Sequence, residues 1–327
     1  MMELEMYRNR KVLVTGGTGM IGRFLVGLLI ERGARVTIVS LDDPSLAHPE
    51  AEFRRVNLIY LDQCLEVCEG MDYVFHLAGV KGSPLAAEKK PANFFVLNLL
   101  LNINMMEAAR QQRVERYLYT STIGVYAPAE IFQEDDVWRT FPSEYDRFAG
   151  WAKRMGELQA EAYKIQYGWD RIAIVRPANT YGPYDTFEGE GAMVIPSLVK
   201  RAVEGENPLK VWGDGSPRRD FIHAKDVARG MLLALERLIG QPINLGSGVG
   251  TSVREIVEII VSHLEVKPEV IWDTTRPLGD RKRIMDITRA RSIGFEPAIS
   301  LEEGIREVVE WYKANRDRVN RRHNVFA

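Results

Sequence analysis

Short apolar runs alternate along the chain with longer stretches whose apolar residues recur every three or four positions. Val12-Leu13-Val14, Arg35–Ser40, Phe53–Leu58, Tyr73–Leu77, Arg116–Ser121 and Ile172–Val175 read as strands, being short, rich in β-branched residues and bounded by turn formers. Helical spacing follows Gly19 as far as Gly33, and returns over Leu61–Glu69, Phe94–Arg110, Tyr145–Tyr167 and Leu301–Lys313. Strands alternating with helices at this interval predict an α/β fold with a Rossmann-type, doubly wound parallel sheet, which takes ligands at the carboxyl ends of its strands. Beyond about residue 180 glycine and proline become more frequent and the elements shorten. A smaller C-terminal α/β lobe is expected over 181–327, with some of its segments returning to a first domain of 1–180.

The first strand runs into Thr15-Gly16-Gly17-Thr18-Gly19-Met20-Ile21-Gly22, a G-x-x-G-x-x-G turn opening a helix. Gly16 allows the sharp turn, Gly19 lets a pyrophosphate reach the backbone amides, and Gly22 lets the helix lie close to the sheet. This context predicts a dinucleotide. At the end of the second strand an acid selects NAD and a basic residue accepts the 2′-phosphate of NADP. Ser40 stands there with Asp42 two residues on, while Arg54 and Arg55 lie within reach. The expected cofactor is NAD, with NADP open. The small residues of Leu77-Ala78-Gly79 suit close passage of that cofactor, as they would any tight turn.

Bulk properties exclude several classes. The chain has 327 residues, 46% of them hydrophobic, and a formal net charge of −2. No basic block is available to neutralise nucleic-acid phosphates, and no apolar run approaches the roughly 18 residues of a membrane span. Met1–Arg10 lacks the apolar core of a signal peptide, and the two cysteines, Cys64 and Cys68, fall on one face of a helix, so a reducing, cytoplasmic setting is expected. No spacing of His, Asp or Glu resembles a metal site.

Five landmarks in order then identify the chain as similar to the extended short-chain dehydrogenase/reductases, within their nucleotide-sugar epimerases, dehydratases and reductases. They are the glycine turn, Thr120-Ser121-Thr122-x-x-Val125-Tyr126, Ala149-Gly150-Trp151-Ala152-Lys153, Arg176-Pro177-Ala178-Asn179-Thr180-Tyr181-Gly182-Pro183, and Arg219-Asp220-Phe221-Ile222-His223. Tyr181–Phe187 and Arg283–Asp286 look most like the GDP-fucose synthase branch, with UDP-glucose 4-epimerases nearby. The resemblance implies a nicotinamide dinucleotide held by Gly16, Gly19, Met20, Ile21, Gly22, Ser40, Asp42, Asn57, Leu58, Leu77, Ala78, Gly79, Lys153 and Pro177. It implies a nucleotide-diphosphate sugar held by Lys81, Thr122, Asn179, Val194, Arg219 and Arg276, the arginines being suited to a pyrophosphate. A homodimer through the two long helices is implied as well.

In that family a tyrosine four residues before the lysine exchanges a proton with a sugar hydroxyl while hydride moves to or from the nicotinamide. Lys153 and Thr122 stand where the family places its lysine and its hydroxyl residue, but position 149 is alanine. Tyr145 is no substitute, because eight residues of helix is a rise of about 12 Å. Three explanations stay open: an introduced Tyr→Ala change, a natural variant using another acid such as Tyr184 or a water, and a non-catalytic paralogue that binds nucleotide sugars or dinucleotides. Ile123 and Gly124 replace the acids of the family's dehydratases, and Gly124 and Tyr184 replace the Cys and His of its fucose synthases. What remains is redox at a sugar hydroxyl, most simply C4, by an epimerase or a 4-keto-sugar reductase. Asn98 matches a supporting asparagine; His76 and His223 are expected to be structural. Arg218 and Arg281-Lys282-Arg283 are expected to form a solvated face.

Overall fold

The computed structural model describes residues 5–82, 84–189, 192–275 and 280–318. Seven parallel strands form its principal sheet: β1 (Lys11–Thr15), β2 (Arg35–Ser40), β3 (Glu52–Arg55), β4 (Tyr73–His76), β5 (Arg116–Thr120), β7 (Ile172–Pro177) and β11 (Ile243–Leu245). The two-residue strand β6 (Ile131–Phe132) lies outside this sheet. The order β11-β7-β5-β4-β1-β2-β3 reverses direction at β1, which opens a crevice between β1 and β4. Alternation sends Val12 and Val14 to one face and Leu13 to the other, and both faces are covered, so the strands read as continuous apolar runs. Helices α1 (Met20–Glu31) and, much later in the chain, Ala224–Arg237 cover the first face through Leu25, Val26, Leu29, Val227 and Met231. On the second face α2 (Leu61–Cys68) and α3 (Asn98–Gln111) supply Cys64, Val67, Cys68, Met105 and Met106. Both thiols are buried and pushed up by burial, to about 12 for Cys64, in keeping with a packing role.

Three elements differ from the periodicity. The third strand stops at Arg55 instead of Leu58, because the Asn57 side chain accepts from Ile59 N at 3.3 Å and turns the chain. The expected helix over 94–110 begins with a π turn at Asn93–Leu97 before α3, and the next long helix, α4, begins at Arg147 and ends at Tyr167. The seventh strand, β11, is only three residues long and gave no pattern of its own.

A second core gathers around α5 (Val194–Val203), the Ala224–Arg237 helix being α6, then α7 (Val253–Ser262) and α8 (Leu301–Asn315). Tyr181, Phe187, Ile195, Ile256, Ile260, Ile305, Val308 and Val309 fill it, and serine–glutamate capping boxes open both α7 and α8. Strand β10 (Arg218–His223) pairs in parallel with β8 (Asn179–Tyr181) and β14 (Lys282–Met285) and antiparallel with β12 (Gly250–Ser252), while β9 (Leu209–Trp212) and β13 (Val270–Asp273) form a separate parallel pair. Its buried Asp220 accepts from Ser247 N, Ser247 Oγ, Gly248 N and Met285 N at 2.6–3.2 Å, which fastens the loop after β11 to β14. Among the described residues no helix is long and apolar enough to cross a membrane.

Candidate active site

The crevice is shaped by the glycine turn. Gly16 adopts φ +69°, and a Cβ on Gly22 would lie 2.2 Å from the Gly16 carbonyl oxygen, so only glycine lets α1 start this close to the turn. Met20 is buried and Ile21 half-buried in α1's first turn. Thr15 Oγ1 accepts from Leu77 N and Ala78 N, each at 3.1 Å, tying the end of β1 to the end of β4. At the end of β2, Thr18 Oγ1 donates to Asp42 Oδ2 at 2.7 Å and lies 2.8 Å from Ser40 Oγ. Arg55 donates to the Asp42 carbonyl at 3.1 Å, whereas Arg54 is spent on Glu52. Leu58 is buried, and Asn57 is occupied by its own turn. A Cβ at Gly16 would meet Ala78 N at 3.1 Å and one at Gly19 the Gly16 carbonyl oxygen at 3.0 Å, so the turn is kept free of side chains.

Across the crevice, Lys153 Nζ donates to the Thr120 carbonyl at 2.9 Å and to Asn102 Oδ1 at 3.4 Å. Burial pulls this ammonium down to about 8, with Glu157 one turn further along opposing the shift. A Cβ on Gly79 would sit 3.5 Å from Nζ, so the lysine reaches the loop after β4. Behind it His76 is fully buried between Thr15 Oγ1 (2.9 Å) and Asn102 Oδ1 (3.3 Å), and is held neutral by burial and by the nearby Lys153 charge. Asn98 accepts from Val80 N and donates to the carbonyls of Val80 and Phe94, so it pins the β4 loop to the π turn. This places His76 and Asn98 in support of the site.

Thr122 caps a short turn, its Oγ1 accepting from Gly124 N at 3.2 Å. Ala149 lies one helical turn before Lys153 and packs against Val80, Ala86 and Phe94. Tyr145 is largely exposed. The Tyr184 ring is clasped by the Arg23 guanidinium (4.3 Å), Phe24 and Trp311. Lys81, itself exposed, bonds the buried Asp185 carboxylate at 2.7 Å. Pro177 closes β7, Asn179 donates to the Asp220 carbonyl at 2.9 Å, and Val194 packs against the second core. Arg219 is half-buried and donates to the Asp280 carbonyl at 2.6 Å; Arg276 lies outside the described residues.

Two features had no signal in the sequence. Arg283 is not part of a solvated face: its side chain is 14% exposed and donates to Asp146 Oδ2 at 2.8 Å, while Arg218 is exposed as expected. A fully buried ion pair joins Glu157 on α4 to Arg176 on β7 at 2.6 Å. Ser121 Oγ donates to Glu157 at 2.5 Å, and Arg176 also donates to Tyr126 Oη and the Glu134 carbonyl. This network locks α4, and with it Lys153, against the strand ends. His223 caps α6 through Nδ1 and is held neutral by burial, a structural role.

Comparison with known proteins agrees with this architecture. Residues 12–246 match the NAD dependent epimerase/dehydratase family. GDP-L-fucose synthase 1 of Arabidopsis thaliana is 30% identical, over 94% of each chain. An epimerase of Methanothermobacter thermautotrophicus superposes with a TM-score of 0.87 at 29% identity, covering 98% of this chain and 96% of its own. The UDP-glucose 4-epimerase of Thermotoga maritima, solved with UDP-glucose, gives 0.79 at 28% identity, with 93% and 99% covered.

Proposed function

Since the chain belongs to the NAD dependent epimerase/dehydratase family, we propose that it is an NAD(P)-dependent nucleotide-sugar oxidoreductase or epimerase working at a sugar hydroxyl, most simply C4. The observation that carries this reading is Lys153. Its ammonium is fixed by the Thr120 carbonyl, lowered toward 8 by burial, and set beside Gly79 where the nicotinamide ribose would lie. When bound, the dinucleotide supplies the hydride acceptor or donor. Thr122 orients the sugar hydroxyl, Lys153 holds the ribose, and Arg219 with Arg276 takes the diphosphate. Asp42 beside Thr18 favours NAD, and Arg55 leaves room for NADP. The 1–180 segment holds the dinucleotide and the 181–327 segment most of the sugar nucleotide. Exposed Leu100 and Ile103 on α3 and Phe148 and Leu158 on α4, two helices that pack together, support a homodimer.

Ala149 supports a second reading, a binder of nucleotide sugars that does not turn them over. The two separate in one assay. The protein is mixed with NAD or NADP and with UDP- and GDP-hexoses, following nicotinamide absorbance and the sugar products by NMR. Cofactor reduction with at least one sugar, lost by about 10²-fold or more in Lys153→Ala, is expected. Dinucleotide and sugar-nucleotide binding without any conversion, and no gain of conversion in Ala149→Tyr, would establish the binder instead, whereas a gain in that variant would mark an enzyme disabled at position 149. Failure to bind either dinucleotide would remove both readings.

A further inference from the structure

Two loops border the crevice between β1 and β4: the glycine turn with the start of α1, and the loop after β4. A segment rooted in the second core touches both. Phe187 roots it there, its ring 5.6 Å from Trp311 and 4.8 Å from Tyr312. Tyr184 lies against Arg23 and Phe24, at 4.3 and 5.9 Å, in the first turns of α1. Between these two anchors Asp185 reaches the loop after β4 and meets Lys81. Tyr184 holds φ +66°, a left-handed conformation that residues other than glycine seldom adopt, so the turn that delivers Asp185 is kept at some cost.

The two partners are unequal. The Asp185 side chain is 1% exposed and that of Lys81 48%. Asp185 Oδ1 accepts from Lys81 Nζ at 2.7 Å and from Thr186 N at 2.8 Å, whereas Oδ2 is buried with no donor. A carboxylate withdrawn from water in this way depends on its one cation. Asp185 is therefore the fixture, and Lys81 the long side chain tied to it. An ammonium has three N–H donors, and Lys81 spends one among the described residues. Lys81 stands two residues past Gly79, where a Cβ would lie 3.5 Å from Lys153 Nζ, and Val80 between them is pinned by Asn98. An ammonium with donors to spare is thus held at the wall of the site. The charges of the pair cancel, so it offers a diphosphate no net positive field, a role the reading above gives to Arg219. Fixed donors of this kind suit hydroxyl groups instead.

We propose that Asp185 is a positioning residue that holds the Lys81 ammonium against a hydroxyl of the bound hexose other than the one Thr122 orients, so that the pair helps to set which hexose is accepted; this rests on the nucleotide-sugar reading above. Left untied, an exposed lysine spreads over many rotamers and must be ordered when the sugar arrives. The buried carboxylate does that ordering beforehand.

The test uses the full chain and calorimetric titration with NAD, with UDP and GDP, and with UDP- and GDP-hexoses. The unchanged protein is compared with Asp185→Asn, Lys81→Met and the double variant Lys81→Met/Asp185→Leu. The expected result is hexose-nucleotide affinity lowered about tenfold in Lys81→Met and about fivefold in Asp185→Asn, with affinity for NAD and for free UDP or GDP changed less than about twofold. The double variant is expected to lose no more than Lys81→Met; having no unpaired buried charge, it takes the place of that variant if Lys81→Met does not fold. Hexose-nucleotide affinity within about twofold of the unchanged protein in Asp185→Asn overturns the proposal. So does an equal loss for UDP and UDP-hexose, or for GDP and GDP-hexose, which would mark the pair as structural. Tighter hexose binding in Asp185→Asn overturns it as well, since the carboxylate would then be withholding the lysine. An unchanged protein that binds no sugar nucleotide fails the nucleotide-sugar reading itself, and the proposal falls with it.

Discussion

At the scale of single residues, the site depends on where a side chain is missing as much as on where one is present. Gly22 is the plainest case. A methyl group there falls 2.2 Å from the Gly16 oxygen, a backbone atom that cannot swing aside. Gly22→Ala is expected to destabilise the fold by about 1–3 kcal/mol or more and to weaken dinucleotide binding at least about tenfold. Thermal unfolding with and without NAD would measure both, and near-unchanged values would mean that the turn can widen. Gly22 was legible in the sequence because the motif sits between a strand and a helix. The burial of Asp185 against Lys81 was not, since nothing in Pro-Tyr-Asp-Thr announces a partner 104 residues earlier.

Between elements, the buried Glu157–Arg176 pair governs how α4 meets β7. Both side chains are almost completely removed from water, and their remaining polar atoms are answered by Ser121, Tyr126 and the Glu134 carbonyl. Glu157→Ala would leave a buried guanidinium uncompensated, with an expected loss of about 3–5 kcal/mol. The double change Glu157→Leu with Arg176→Met should recover most of that loss, because no buried charge is left behind. Denaturant titration of the single and double variants decides it; additive losses would contradict the argument. Strand and helix periodicity made the elements visible, since a strand buried on both faces and an amphipathic helix each leave a pattern. The pair itself left none, because opposite charges 19 residues apart resemble solvated ones until the fold brings them together. The π turn ahead of Asn98 was hidden in the same way, since its apolar residues continue the helical spacing.

For the molecule as a whole, acid should act through two buried histidines. Burial pulls His76 down to about 3 and His223 to about 4 from an ordinary 6.5; at His223, Asp226 opposes the shift and Lys225 adds to it. Between pH 6.5 and those values the unfolded chain binds protons that the folded chain refuses. Stability should therefore be lost as the pH is lowered across that window, by ~1.4 kcal/mol per pH unit for each histidine. Urea unfolding from pH 7 to 5 should show this slope, and His223→Asn should reduce it; an unchanged slope would mean that His223 is not the group responsible. The doubly wound architecture itself was legible from the succession of strands and helices. The place of β11 was not, because three residues carry too little periodicity to reveal that they complete the first sheet.

That late strand has a consequence for the order of events as the chain is made. β7 is finished at Pro177, yet its outer edge has no partner until Ile243–Leu245 arrives, and one face of the sheet waits for α6. A chain emerging from its N-terminus would carry an open strand edge and an uncovered apolar surface while some 65 further residues are added. The principal sheet cannot close before the chain has been made as far as Leu245, so the first half of the fold is completed only as the second is being added.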